Sequence, residues 1–201
     1  MPGRSHRFQR ERAMIFVTNL ADMPGHARTL RPSHLISLVE TAHQPPTPRQ
    51  VHPERHLRVE IHDITEPMVD CVLPDAHHVS RLLDFVDGWS GEAPLLVHCM
   101  AGISRSTAAA LIALSVKTAV REEDAARRLR RLAPHAQPNP RLIALADDLM
   151  GREGRLVAAC AAIGPGLYPP VATFRGPLVE LSLTAEPDVM EKPVMATVLS
   201  A

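Results

Sequence analysis

Residues 93–120 read APLLVHCMAGISRSTAAALIALSVKTAV, and three textures succeed one another along them. APLLV is short, apolar and uninterrupted, the mark of a strand buried on both faces. From residue 106 the chain is apolar nearly all round, which predicts a helix packed inside the molecule. HCMAGISRS, residues 98–106, lies between them. A loop between a strand and a buried helix receives the helix's first free amides and the positive end of its dipole, which together make an anion site. Gly102 allows the backbone to curl tightly there. Five residues separate Cys99 from Arg105, enough for the loop to wrap a tetrahedral anion before the planar guanidinium closes on two of its oxygens, a grip lysine cannot provide. This positive surrounding is expected to keep Cys99 as a thiolate at neutral pH.

Upstream, AMIFVTNL reads as a first buried strand, and a short helix is expected around residues 33–41, with Ser33 placed to cap it. QPPTPRQVHPER must be a loop, because its prolines remove donors and fix φ. HLRVEIHDI alternates Leu57, Val59 and Ile61 with Arg58, Glu60 and His62, a strand with one wetter face and Asp63 near its downstream end. Val79, Leu82, Leu83 and Val86 recur at helical spacing before Gly88. Downstream of the loop, Glu122, Glu123 and Asp124 mark a helix start, and Asn139 with Pro140 opens another helix through Leu149. Strands alternating with helices imply right-handed crossovers, so the expected class is α/β, a mostly parallel central sheet with helices on both faces.

Residues 1–13 are basic and aperiodic and read as a flexible arm; residues 14–164 read as one catalytic domain; residues 165–201 form a Pro/Gly-rich extension without an assigned role, apart from an alternating patch at Leu178 to Leu183. The chain has 201 residues and equal numbers of basic and acidic side chains. No global field therefore favours nucleic acid or anionic lipid, and an anion must be caught locally. The sequence contains no apolar run of membrane-spanning length and no secretory start, so a monomeric protein with a cytoplasmic location is the default expectation. Cys71, Cys99 and Cys160 are too few and too scattered for a disulfide framework.

HCMAGISRS resembles the HCxxGxxR(S/T) signature of the cysteine-dependent protein tyrosine and dual-specificity phosphatases, in the HCxxGxSRS form frequent among dual-specificity enzymes. Residues 15–164 are also similar in element order to compact bacterial phosphatases. The resemblance implies a dual-specificity-phosphatase-like sheet and phosphomonoester hydrolysis with no cofactor and no metal. Cys99 would attack phosphorus in line and form a phosphocysteine. Backbone amides of Met100, Ala101, Gly102, Ile103, Ser104 and Arg105 would hold the phosphoryl oxygens. Ser106 matches the hydroxyl that assists departure of the sulfur, and His98 the histidine that supports the loop. The substrate would be a phosphorylated protein or a small phosphomonoester.

A general acid is also required, since an alkoxide or phenoxide departs faster once protonated. Asp63 is the candidate, at the carboxyl end of a strand expected to run parallel to the one that feeds the loop. Its context is HDITEP and no WPD tripeptide is present, so Glu66, Asp70 and Asp75 stay as rivals. Asn139 reads as a helix cap ahead of Pro140, and Cys71 as a structural thiol in preference to a redox partner of Cys99. The arginines at 127, 128, 130 and 131 read as a solvated helix face in preference to a docking patch. Trp89 and Tyr168 have no stacking role legible in the sequence. Two other functions use a similar loop: a phosphate-binding module without catalysis, and a rhodanese-like sulfurtransferase. The intact Cys99, Arg105 and Ser106 favour the phosphatase.

Overall fold

The computed structural model describes residues 14–170 and 173–184. Its strands are β1 (Met14–Asn19), β2 (His34–Val39), β3 (His56–Glu60), β4 (Leu95–Cys99) and β5 (Val179–Ser182). Its α-helices are α1 (Met23–Leu30), α2 (Ala76–Asp87), α3 (Arg105–Lys117), α4 (Glu122–Leu132), α5 (Pro140–Leu149) and α6 (Arg155–Ala162). The sheet order is β3-β2-β4-β1-β5, with β1 to β4 parallel and β5 antiparallel to β1. The mostly parallel sheet expected from the alternation of strands and helices is present.

The helix expected at residues 33–41 is instead the strand β2. Leu35, Ile36, Leu38 and Val39 are all fully buried, and six residues with apolar side chains on both faces suit a strand inside a parallel sheet, where helices cover both sides. Ser33 does not cap a helix: its amide donates to the Pro94 carbonyl at 2.9 Å, which ties the start of β2 to the start of β4. The chain turns helical earlier, in α1, which has Pro24 in its first turn, where a missing amide costs nothing.

The two faces of the sheet are covered unequally. Ile15, Val17, Ile36, Leu38, Leu95, Val97 and Cys99 point into a large apolar cluster shared with α2 to α6. At its centre is α3, buried from Arg105 to Ser115. Its run of alanines lets the helix lie close to the strands, while Leu111, Ile112 and Leu114 each contribute about 1.5–3 kcal/mol by burial. On the other face Phe16, Leu35 and Leu96 meet Met23 and Ala27 of α1 and Val51 of the Pro-rich loop in a much smaller cluster.

Past residue 164 the chain adds β5 to the sheet: it pairs with β1 from Met14↔Ser182 to Val17↔Val179, with Val179 and Leu181 in the large core. The arginines of α4 are engaged. Arg127 pairs with Asp124, Arg128 is buried and donates to the Thr184 carbonyl, and Arg130 donates to the carbonyls of Pro134, Ile163 and Gly164. Arg128 and Arg130 thereby hold the returning chain.

Candidate active site

β4 ends at Cys99 and α3 begins at Arg105, and the loop between them is held from outside by its carbonyls. Met100 O accepts from the Leu20 amide at 3.2 Å, Ala101 O from the Gly176 amide at 2.7 Å and Ile103 O from the Gln137 amide at 2.9 Å. Three distant segments thus fix three of the loop's peptide orientations, and a peptide whose carbonyl points outward presents its amide inward. Gly102 has φ 74°, and a Cβ there would lie 3.1 Å from the backbone of Thr18 and Asn19, so both conformation and space demand glycine. The Gly102 amide points at the Cys99 sulfur, 3.3 Å away.

Cys99 is 2% exposed and forms the floor of a cavity of about 500 Å³. The Ser106 hydroxyl lies 3.1 Å from its sulfur. Arg105 is buried, with Nη1 donating to Glu40 Oε1 at 2.9 Å and to the Ile61 carbonyl at 2.8 Å. Its Nε, buried too, has no hydrogen-bond partner among the described residues and lies 4.0 Å from Asp63 Oδ2. A buried donor left unpaired costs about 1–3 kcal/mol. Burial raises the Glu40 carboxyl, but its own backbone amide and Arg105 outweigh burial and hold it below the usual carboxylate value. Glu40 therefore stays ionised and orients the guanidinium.

Asp63 is tethered to the loop by one oxygen. Oδ1 accepts from the Ser104 hydroxyl at 2.7 Å and from Asn139 Nδ2 at 2.8 Å, which leaves Oδ2 facing the cavity side of Arg105. The same Asn139 caps α5 through Oδ1, accepting from the amides of Arg141 and Leu142, so it serves as cap and as tether at once. Of the rivals, Glu66 lines the cavity, whereas Asp75 closes a capping box with His78 at the start of α2. Asp70 does not line the cavity and occupies a turn with φ 58°. His98 is fully buried and points away from the cavity, with Nε2 2.6 Å from Ser37 Oγ and Nδ1 3.4 Å from the Cys99 carbonyl.

The sequence reading missed Glu40, because reading residues 33–41 as a helix hides that Glu40 follows the carboxyl end of a strand, where such sites collect. It also missed the far wall of the cavity. Tyr168 lines that wall, donates to Gln137 Oε1 at 3.3 Å and stacks on Phe174, ring centroids 5.8 Å apart and planes 12° apart.

No family model and no curated protein matches the chain. Solved structures do. Cydia pomonella PTP-2 phosphatase matches with a TM-score of 0.53 at 20% identity, over 67% of this chain and 84% of that one. The human tyrosine phosphatase-like serine/threonine/tyrosine-interacting protein matches with a TM-score of 0.53 at 18% identity, over 69% and 92%. PTPMT1 in complex with PI(5)P matches with a TM-score of 0.51 at 15% identity, over 70% and 95%. The fold is that of the tyrosine and dual-specificity phosphatases. In this phosphatase fold the strand, loop and helix at residues 95–117 bring Cys99 and Arg105 to one cavity, with Ser106 behind the Cys99 sulfur.

Proposed function

We propose that the chain is a phosphoric monoester hydrolase of the protein tyrosine/dual-specificity type, acting through a phosphocysteine on Cys99. The observation that carries this reading is the convergence on one sulfur and one guanidinium: the Gly102 amide and Ser106 hydroxyl meet the Cys99 sulfur, and Arg105, whose buried Nε has no hydrogen-bond partner among the described residues, lines the same cavity as Cys99. A phosphate dianion seated there takes up the guanidinium donor and the loop amides from Met100 to Arg105. The thiolate attacks phosphorus as the bond to the ester oxygen breaks. Asp63 delivers its proton to that oxygen, which leaves as an alcohol or phenol. Water then attacks phosphorus, Asp63 takes back one proton, and the phosphorus–sulfur bond breaks to release inorganic phosphate. Ser106 stabilises the departing thiolate.

The cavity wall favours an aromatic ester. Tyr168, Ile64 and Met68 supply apolar surface, and Asp63 and Glu66 are carboxylates, while Arg105 is the one cation among the described lining residues. That balance suits a single phosphate on a ring, as in a phosphotyrosine side chain, and disfavours headgroups bearing several anionic groups. A phosphoprotein is the substrate this lining fits.

Hydrolysis of p-nitrophenyl phosphate by the wild type and by Cys99→Ser tests the reading. Phosphate release that the substitution abolishes is the expected result. Release that survives it would move the nucleophile elsewhere, and tight phosphate binding without turnover in the wild type would make the chain a binding module.

A further inference from the structure

Beneath the loop, on the thinly covered face of the sheet, lies a row of polar groups that the hydrolytic steps leave unused. β3, β2 and β4 are neighbours, and the register sets Ser37 level with both Arg58 and His98. Ser37 Oγ lies 2.6 Å from His98 Nε2 and 2.8 Å from His56 Nε2. His56 Nδ1 lies 2.9 Å from Thr47 Oγ1, and Arg58 Nη2 lies 3.0 Å from the same oxygen. His98 Nδ1 closes the row at the Cys99 carbonyl, 3.4 Å away.

The direction of each proton follows from the two ends. A carbonyl oxygen only accepts, so His98 donates through Nδ1. Burial drives the His98 ring down to about 4, with the Cys99 carbonyl raising it and Arg105 lowering it further, so the ring is neutral and Nε2 offers a lone pair. Ser37 must give its single proton to that lone pair and therefore accepts from His56 Nε2. His56 is neutral as well, pushed down to about 3 by burial, then by Arg58 and His98. Its Nδ1 accepts from the Thr47 hydroxyl, and Thr47 accepts from Arg58, which can only donate. Every dipole in the row points the same way, with the guanidinium at its head and the positive ends toward Cys99.

We propose that Ser37, His56 and Thr47 are positioning residues that act through His98: the aligned row fixes the Cys99 peptide and adds a one-signed field that favours the ionised sulfur. Hydrogen bonds in such a row polarise one another, and their combined effect resembles that of a helix N-terminus pointed at an anion. The inference rests on the reading of Cys99 as a nucleophile. The other charges around the loop are Arg105 from α3, Glu40 after β2, Asp63 after β3 and His135, which crowds Gly176 together with Gly102. None of these is altered by the variants below.

The test is the rate of Cys99 alkylation by iodoacetamide against pH, read by mass spectrometry on the full chain without substrate. In Ser37→Ala the rate at about pH 6 is expected to fall about three- to ten-fold, with the alkaline plateau unchanged, because only the thiolate reacts. Ser37→Thr, which keeps the hydroxyl, should restore most of the loss. Thr47→Val, at a half-exposed position that spares the core, should give a smaller fall of about two-fold in the same direction. Should Ser37→Ala not fold, Thr47→Val decides. Profiles superimposable on the wild type would overturn the proposal and leave the row a purely structural one. Alkylation needs no turnover, so failure here leaves the phosphatase reading standing, and absent hydrolysis with a shifted profile would do the reverse.

Discussion

The two faces of the sheet solve different problems with the same four parallel strands. On the face under α2 to α6, residues 15, 17, 36, 38, 95 and 97 are aliphatic and the packing is apolar. On the opposite face, covered by the two-turn α1 and the Pro-rich loop, Ser37, His56 and His98 interrupt the apolar residues and bond to one another. β4 shows the division within two residues: Cys99 faces the helices and the cavity, and His98 faces the polar row. Stability is concentrated on the first face, and control of the sulfur on the second. Glu40 links them, standing after β2 yet holding Arg105 of α3.

Cavity formation on the helical face should give the largest change. Ile112→Ala removes a fully buried side chain from α3 and should cost about 2–5 kcal/mol in urea unfolding, with the alkylation profile of Cys99 in the folded fraction unmoved. A loss below 1 kcal/mol, or a shifted profile, would blur the distinction between the faces. Next is Glu40→Gln, which keeps shape and removes charge. Freeing the guanidinium from its ionised partner should lower kcat/KM for p-nitrophenyl phosphate about ten- to a hundred-fold, worth about 1.4–2.7 kcal/mol. Unchanged kinetics would show that Arg105 is oriented by the Ile61 carbonyl alone.

How much of this was legible in the sequence depends on whether the information is local. Residues 93–117 carry their own strand, turn and helix signals, and the structure places Cys99 and Arg105 at one cavity with Ser106 against the Cys99 sulfur. His34–Val39 was ambiguous, because Leu35, Ile36, Leu38 and Val39 satisfy a helical spacing as well as a buried strand, and its six-residue length was the better guide. That ambiguity hid Glu40. The polar row was illegible for another reason: Ser37, His56 and His98 are 19 and 61 residues apart from their partners and meet through strand register, which no local pattern encodes. Tyr168 escaped because the chain must return past residue 164 to form β5 before its stacking with Phe174 acquires a place beside the cavity.

The polar row also predicts a pH dependence of stability. Both histidines of the row are held neutral in the fold, so the unfolded chain binds more protons below the ordinary imidazole value. Their contribution is complete above about pH 6.5 and is lost as the pH falls toward about 4 for His98 and about 3 for His56. Urea midpoints should therefore decline from neutral pH to about pH 5, and His56→Gln should flatten that decline. A decline equally steep in the variant would assign the acid lability to other groups. The smallest effect is expected at the aromatic wall. Tyr168→Ala should lower kcat/KM for an aryl phosphate about three- to ten-fold against an alkyl phosphate, the size of one aromatic contact, and equal losses on both substrates would remove the ring from specificity.

The proposed hydrolysis turns on a covalent bond between Cys99 and phosphorus. Rapid acid quench of Ser106→Ala during turnover of p-nitrophenyl phosphate, followed by peptide mass spectrometry, tests it directly, since slowing departure of the sulfur makes the intermediate accumulate. A single phosphoryl group on the peptide that contains Cys99, absent when Cys99 is also replaced by serine, is the predicted result. Continued phosphate release with that peptide unmodified at every quench time would contradict it.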